Sequence, residues 1–114
     1  MKNNILTHYL NLRKEIDDLK HRIHTLELLS IRMRGTNIMR DLTTQYHELY
    51  EKAVKEQIVI EQIIDELEPL ERRLIRYKYF DRLTWEGVAL KLNYSKAQVQ
   101  RIHTNILQKI NNIL

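Results

Sequence analysis

Apolar residues recur at alternating spacings of four and three through Ile5, Tyr9, Leu12, Ile16, Leu19, Ile23 and Leu26, and the series continues through Ser30 to Met33. That spacing keeps one stripe on one side of a helix, so it predicts a single heptad-patterned helix about 40 Å long. The helix should stop near Gly35, where Arg34-Gly35-Thr36-Asn37 supplies a C-terminal glycine followed by turn residues. A second periodic segment runs through Leu42, Tyr46, Leu49, Ala53, Ile60, Ile63 and Leu67, with Glu56 breaking the stripe. Two long helices joined by a short turn are expected to fold back as an antiparallel coiled-coil hairpin over residues 1–67. A two-helix hairpin has little core of its own, so it is expected to pack on a second copy of itself or on another protein.

Beyond the hairpin the pattern changes. Pro69 suits the first turn of a helix, where its missing N–H removes no bond. A helix is therefore expected from about Glu68 to Phe80, with Leu70, Leu74 and Tyr77 on one face and Arg72, Arg73 and Arg76 roughly opposite. Thr84 then reads as the N-cap of a short helix, Trp85–Leu92, with Glu86 in the first turn where the helix dipole favours an acid. Asn93-Tyr94 makes a turn, and Ser95 caps a last helix running to the C-terminus. A short helix, a tight turn and a longer helix form the outline of a DNA-binding helix-turn-helix at Thr84–Ile106, within a second domain at 68–114. Three positions carry that geometry. Ala89 is small where the helices cross, Asn93 tolerates the left-handed backbone of the turn, and Val99 is a β-branched plug for the core. The alternative is a generic helical hairpin. The chain is thus expected to be all-α.

Composition agrees, with two Gly and one Pro in 114 residues. The absence of cysteine rules out disulfides and cysteine-based zinc sites. The N-terminal stretch is too charged for a signal peptide, and no apolar run is long enough to span a membrane. The expectation is a soluble intracellular protein of a reducing cytoplasm. Net charge is +4, unevenly placed. Residues 1–40 hold eight Lys/Arg against four Asp/Glu, residues 41–68 two against eight, and residues 69–114 nine against three, with no acid after Glu86. Opposite charges on the two hairpin helices favour their pairing, each exposed pair contributing about 0.2–1 kcal/mol. A basic C-terminal third matches a polyanionic partner, although ordinary charge patterning on solvated helices gives the same picture.

The last helix divides into two faces. At 100° per residue, Val99, Ile102, Ile106, Ile110 and Ile113 form an apolar stripe. The opposite side collects Ala97, Gln100, Arg101, Thr104 and Gln108, with Lys96 at its edge. Arg reads guanine, Gln reads adenine and Thr meets a thymine methyl or a phosphate, so Lys96, Ala97, Gln100, Arg101 and Thr104 are the expected groove-facing set. The Ser95 hydroxyl at the helix N-terminus suits a phosphate. Lys91 is an expected phosphate contact, and Arg72, Arg73 and Arg76 are expected to contact phosphates or a protein partner, with a solvated face as the alternative for the arginines. Tyr77, Tyr79, Phe80 and Trp85 are expected to be core rather than base-stacking residues.

The run Leu70-Glu71-Arg72-Arg73-Leu74-Ile75-Arg76-Tyr77 through Leu83-Thr84-Trp85-Glu86-Gly87-Val88-Ala89, followed by Arg101-Ile102-His103, resembles region 4 of sigma-70-type factors. It is more closely similar to the ArpU/RinA-type phage transcriptional regulators. The likeness covers about residues 67–112. Gly87 replaces the second acid of the usual Trp-Glu-Glu, and Asn93 the common turn glycine. The resemblance implies a sigma-70 region 4-like helix-turn-helix acting on promoter or operator DNA, activation of phage or mobile-element late genes, and contact with bacterial RNA polymerase.

No catalytic constellation stands out, so no enzyme, cofactor or metal is expected. His21 and His24 lie three apart on a helix, but they sit beside the seam as solvated polar positions. Two rival readings remain: a phage small terminase subunit bound to a packaging site, and a coiled-coil adaptor. A homodimer through the hairpin would give the two recognition helices that useful specificity requires.

Overall fold

A computed structural model describes residues 4–33 and 36–114. Its helices are α1 (Ile5–Met33), α2 (Asn37–Asp65), α3 (Pro69–Ile75), α4 (Trp85–Leu92) and α5 (Lys96–Ile113), with no strand among the described residues. The fold is all-α, with α1 and α2 forming a long helical hairpin. The stop expected at Gly35 lies outside the described residues. On its far side, the Thr36 hydroxyl accepts the Met39 N–H at 3.1 Å and so caps the start of α2.

Packing divides the chain into two units: Tyr9–Val59, and the described residues up to His8 together with Ile60–Leu114. In the first unit α1 buries the expected seam at Tyr9, Leu12, Ile16, Leu19 and Ile23. The α2 seam differs from expectation. Leu42 and Leu49 are 38% and 49% exposed, while Thr43, Tyr46, Tyr50 and Gln57 are half-buried beside buried Ala53. A four-three register passing through Ala53 and Ile60 requires positions 43, 46, 50 and 57, so the two leucines fall one residue off it. Gln57 occupies the seam where Glu56 was expected to interrupt it.

The second unit has one core, built from Leu6, Ile63, Leu67, Leu74, Ile75, Val88, Ala89, Leu92, Val99, Ile106 and Ile110. The division expected at 67/68 is therefore a turn in the chain but not a break in packing. Pro69 does begin α3, yet Leu6, Ile63 and Leu67 lie in the same core as the three C-terminal helices. A helix-turn-helix of this size has too little apolar surface to close a core alone, and each fully buried Leu or Ile adds about 1.5–3 kcal/mol.

The helix expected over Glu68–Phe80 is also different. It ends at Ile75 and continues as a π-helical turn, Arg76–Phe80, in which the Asp81 N–H reaches the Arg76 carbonyl at 2.9 Å. The extra residue shifts the side chains beyond Arg76 around the axis. Leu74 and Ile75 are buried, Tyr77 and Tyr79 are half-buried, and Phe80 is exposed. Arg82, with φ of 55°, takes the left-handed conformation that leads the chain towards α4.

Candidate nucleic-acid interface

Local chemistry fixes both helices of the α4–α5 pair. The Thr84 hydroxyl accepts the Gly87 N–H at 3.1 Å and starts α4. Asn93 ends it with φ 59° and ψ 41°, and the Tyr94 N–H returns to the Ala89 carbonyl at 3.1 Å. That six-to-one bond closes the helix, and only a residue at ease in left-handed backbone permits it. Ser95 and Gln98 then form a capping box: the Gln98 N–H donates to the Ser95 hydroxyl at 3.1 Å, and the Ser95 N–H donates to Gln98 Oε1 at 2.9 Å. Ala89 lies in the core at the crossing, and Val99 is fully buried.

The faces of α5 separate largely as expected. Val99, Ile106 and Ile110 are buried and Ile102 is half-buried, whereas Ile113 is 48% exposed because the last turn extends past the core. Ser95, Lys96, Ala97, Gln100, Arg101 and Thr104 are all exposed, and they crowd the N-terminal half of one helix. The Ser95 oxygen is engaged by Gln98, which leaves its O–H to donate outward. The Thr104 hydroxyl donates back to the Gln100 carbonyl at 3.1 Å, so it offers a methyl group and an acceptor rather than a donor. Lys96 Nζ lies 2.8 Å from Glu86 Oε1. The hydrogen bond from Lys96 holds the Glu86 carboxyl below its ordinary range.

The other basic residues are elsewhere. Lys91 is exposed on α4, and Arg72, Arg73 and Arg76 form an exposed cluster on α3 and the turn after it. Arg72 is partly committed to structure, since its Nη1 donates to the Asp65 carbonyl at 3.0 Å near the end of α2.

A family model described as "Protein of unknown function (DUF722)" matches residues 3–112. The chain belongs to this family. The match spans the hairpin and the helices that follow it alike. No curated protein and no solved structure matches the chain.

Two groupings in this DUF722 protein were not foreseen from sequence. Glu71, 9% exposed, receives the Lys109 ammonium at 2.8 and 3.0 Å and the Glu68 N–H at 3.0 Å, tying α3 to α5. Its only sequence signal was an isolated acid in the first turn of a basic helix. His103 stands on α5 between aromatic rings, stacked with Tyr79 at 5.7 Å and edge-on to Trp85 at 4.9 Å. The Tyr79 hydroxyl bonds His103 Nε2 and accepts the Asn4 side-chain N–H at 3.0 Å. Burial, assisted by the Lys78 charge, lowers the His103 pKa, and the same burial raises that of Tyr79. Lys78 in turn lies 4.6 Å over the Trp85 ring. Tyr79, Trp85 and His103 therefore hold α5 against the π-helical turn and α4, and Tyr77, Tyr79 and Trp85 pack on the core as expected.

Proposed function

We propose that this DUF722 protein is a sequence-specific regulator of transcription that places the N-terminal half of α5 in the major groove of double-stranded DNA. The observation that carries this reading is the capped α4–Asn93–α5 geometry, whose exposed N-terminal part of α5 presents Ser95, Lys96, Ala97, Gln100, Arg101 and Thr104. In this reading Arg101 and Gln100 contact base edges, Thr104 offers its methyl to thymine, and Ser95 and Lys96 meet phosphates. The sequence likeness to sigma region 4 and to ArpU/RinA-type regulators supports a promoter or operator target, with activation of phage or mobile-element genes in the bacterial cytoplasm. Arg73 and Arg76, on a separate element, are then contacts to phosphates or to RNA polymerase. The protein acts by binding, without catalysis or cofactor.

Binding to duplex DNA should weaken steeply with salt, because each neutralised phosphate releases counterions. Arg101→Ala should cost about 1–3 kcal/mol on the preferred site and relax specificity at one base pair. Fluorescence anisotropy of both proteins on specific and scrambled duplexes reads both effects. Salt-independent binding, or an Arg101→Ala protein as selective as the parent, contradicts the proposal.

A further inference from the structure

Several large apolar side chains of the Tyr9–Val59 unit are left in solvent, concentrated towards the turn of the hairpin: Leu28 is 51% exposed, Leu29 39%, Ile38 73%, Leu42 38% and Leu49 49%. Ile31, 80% exposed, lines a separate hollow, and Ile58 and Val59 are exposed farther along α2, but the others group together. Leu42 borders a groove with Leu26, Thr25 and Tyr46, and Thr25 also lines the adjoining groove of Leu28 and Leu29. A third hollow lies along α2 at Leu49. In heptad terms Leu29, Leu42 and Leu49 each directly precede a seam position (30, 43 and 50), the flank that the two helices of an antiparallel pair present on the same side. The result is a series of apolar hollows along one side of the hairpin, of a kind that marks interaction sites.

Charge indicates what covers it. Along this side α1 carries Arg22 and Arg32, and α2 carries Asp41 and Glu48, with Lys52 beside Glu48 at the Leu49 hollow. The hydrogen bond from Arg22 to the Tyr46 hydroxyl and the ion pair of His47 with Glu27 set the register of the two helices. That register brings Arg32 near the level of Asp41 and Arg22 near Glu48. A two-fold axis parallel to the helices lays α1 of one copy over α2 of the other, at the same level and antiparallel. The basic residues of one copy then face the acidic residues of the second, twice over, as an isologous interface demands. The leucine strips meet between them.

We infer that the side of the hairpin bearing Leu29, Leu42 and Leu49 is a homodimer interface, on which two copies of this chain form an antiparallel four-helix bundle. This holds whether or not the chain binds DNA. Four-helix bundles bury the apolar flanks that a two-helix hairpin leaves wet, and flanking charges set partner and register.

Sedimentation equilibrium of the full chain at tens of micromolar tests it. The expected mass is twice the 13.9 kDa of one chain. Leu42→Glu and Leu49→Glu should each shift the protein to monomer and leave its helical circular dichroism intact, since both side chains are exposed within one copy. Arg32→Glu and Asp41→Arg should each weaken self-association at least several-fold. An equimolar mixture of those two variants should regain it, because opposite charges face each other again at both symmetric contacts. A monomeric parent, an assembly larger than a dimer, leucine variants that still dimerise, or a mixture no better than its components overturns the inference. Capture of a different protein on this strip, with the parent monomeric, overturns it equally.

Discussion

Glu86 and Lys96 face each other across the helix-turn-helix, carboxylate oxygen to ammonium nitrogen at 2.8 Å. An acid is thus held beside the helix end that the proposed function turns towards phosphates. It favours the α4 dipole, and it cancels part of the charge that would otherwise hold any DNA. Glu86→Gln should therefore tighten binding to scrambled duplex several-fold and steepen its salt dependence, while the preferred site gains less. Anisotropy on both duplexes measures the ratio, and unchanged non-specific affinity contradicts the role given to Glu86.

Leu6 lies within the core of the helix-turn-helix unit although it stands near the other end of the sequence. Leu6→Ala should cost about 2–5 kcal/mol, the range for emptying a buried leucine site. Urea unfolding followed by Trp85 fluorescence reads this directly, because the tryptophan reports on the same unit. A loss under about 1 kcal/mol would mean that the base of the hairpin is not part of that core.

His103 gives the fold a pH dependence. Its pKa is lowered in the folded chain, so below the ordinary value of about 6.5 the unfolded chain takes up a proton first. The stability it contributes is complete above that value and declines as pH falls towards the folded pKa. Denaturation midpoints should drop between neutral and mildly acidic pH, and His103→Asn should flatten that slope while lowering stability overall. Glu86, whose carboxyl is also lowered, acts in a separate and more acidic window. An equal slope in the His103→Asn protein contradicts this assignment.

Asn93 holds the turn in left-handed backbone. Asn93→Gly should leave stability nearly unchanged, whereas Asn93→Val should cost about 1–2 kcal/mol, the strain of that conformation for a side chain with Cβ branching. Thermal unfolding of the two variants makes the comparison, and equal stability contradicts it.

Much of this architecture was legible because it is local. The Thr84 and Ser95 caps, the left-handed Asn93 and the buried Val99 follow from residue type and spacing within one or two helical turns. The α1 seam was equally plain from Tyr9 to Leu26, since every position there is a strong apolar residue. The α2 seam was not: Thr43, Tyr50 and Gln57 are weak seam residues, and nearby Leu42 and Leu49 offered a louder but displaced stripe. Long-range partners left no periodic trace. Asn4 and Tyr79 are 75 positions apart, and Lys109 reaches Glu71 across 38. Such pairings depend on how helices dock, and the π-helical turn at Arg76–Phe80 that aims Tyr79 at His103 comes from an extra residue that no 3.6-residue pattern announces.

The proposed regulatory role rests on the exposed face of α5 reading DNA. Footprinting the full chain on duplexes selected from genomic fragments at physiological salt tests it most directly. A protected site with major-groove contacts is expected, lost on Arg101→Ala and diminished on Gln100→Ala. Absence of any protected sequence, or protection that both variants leave intact, would contradict it.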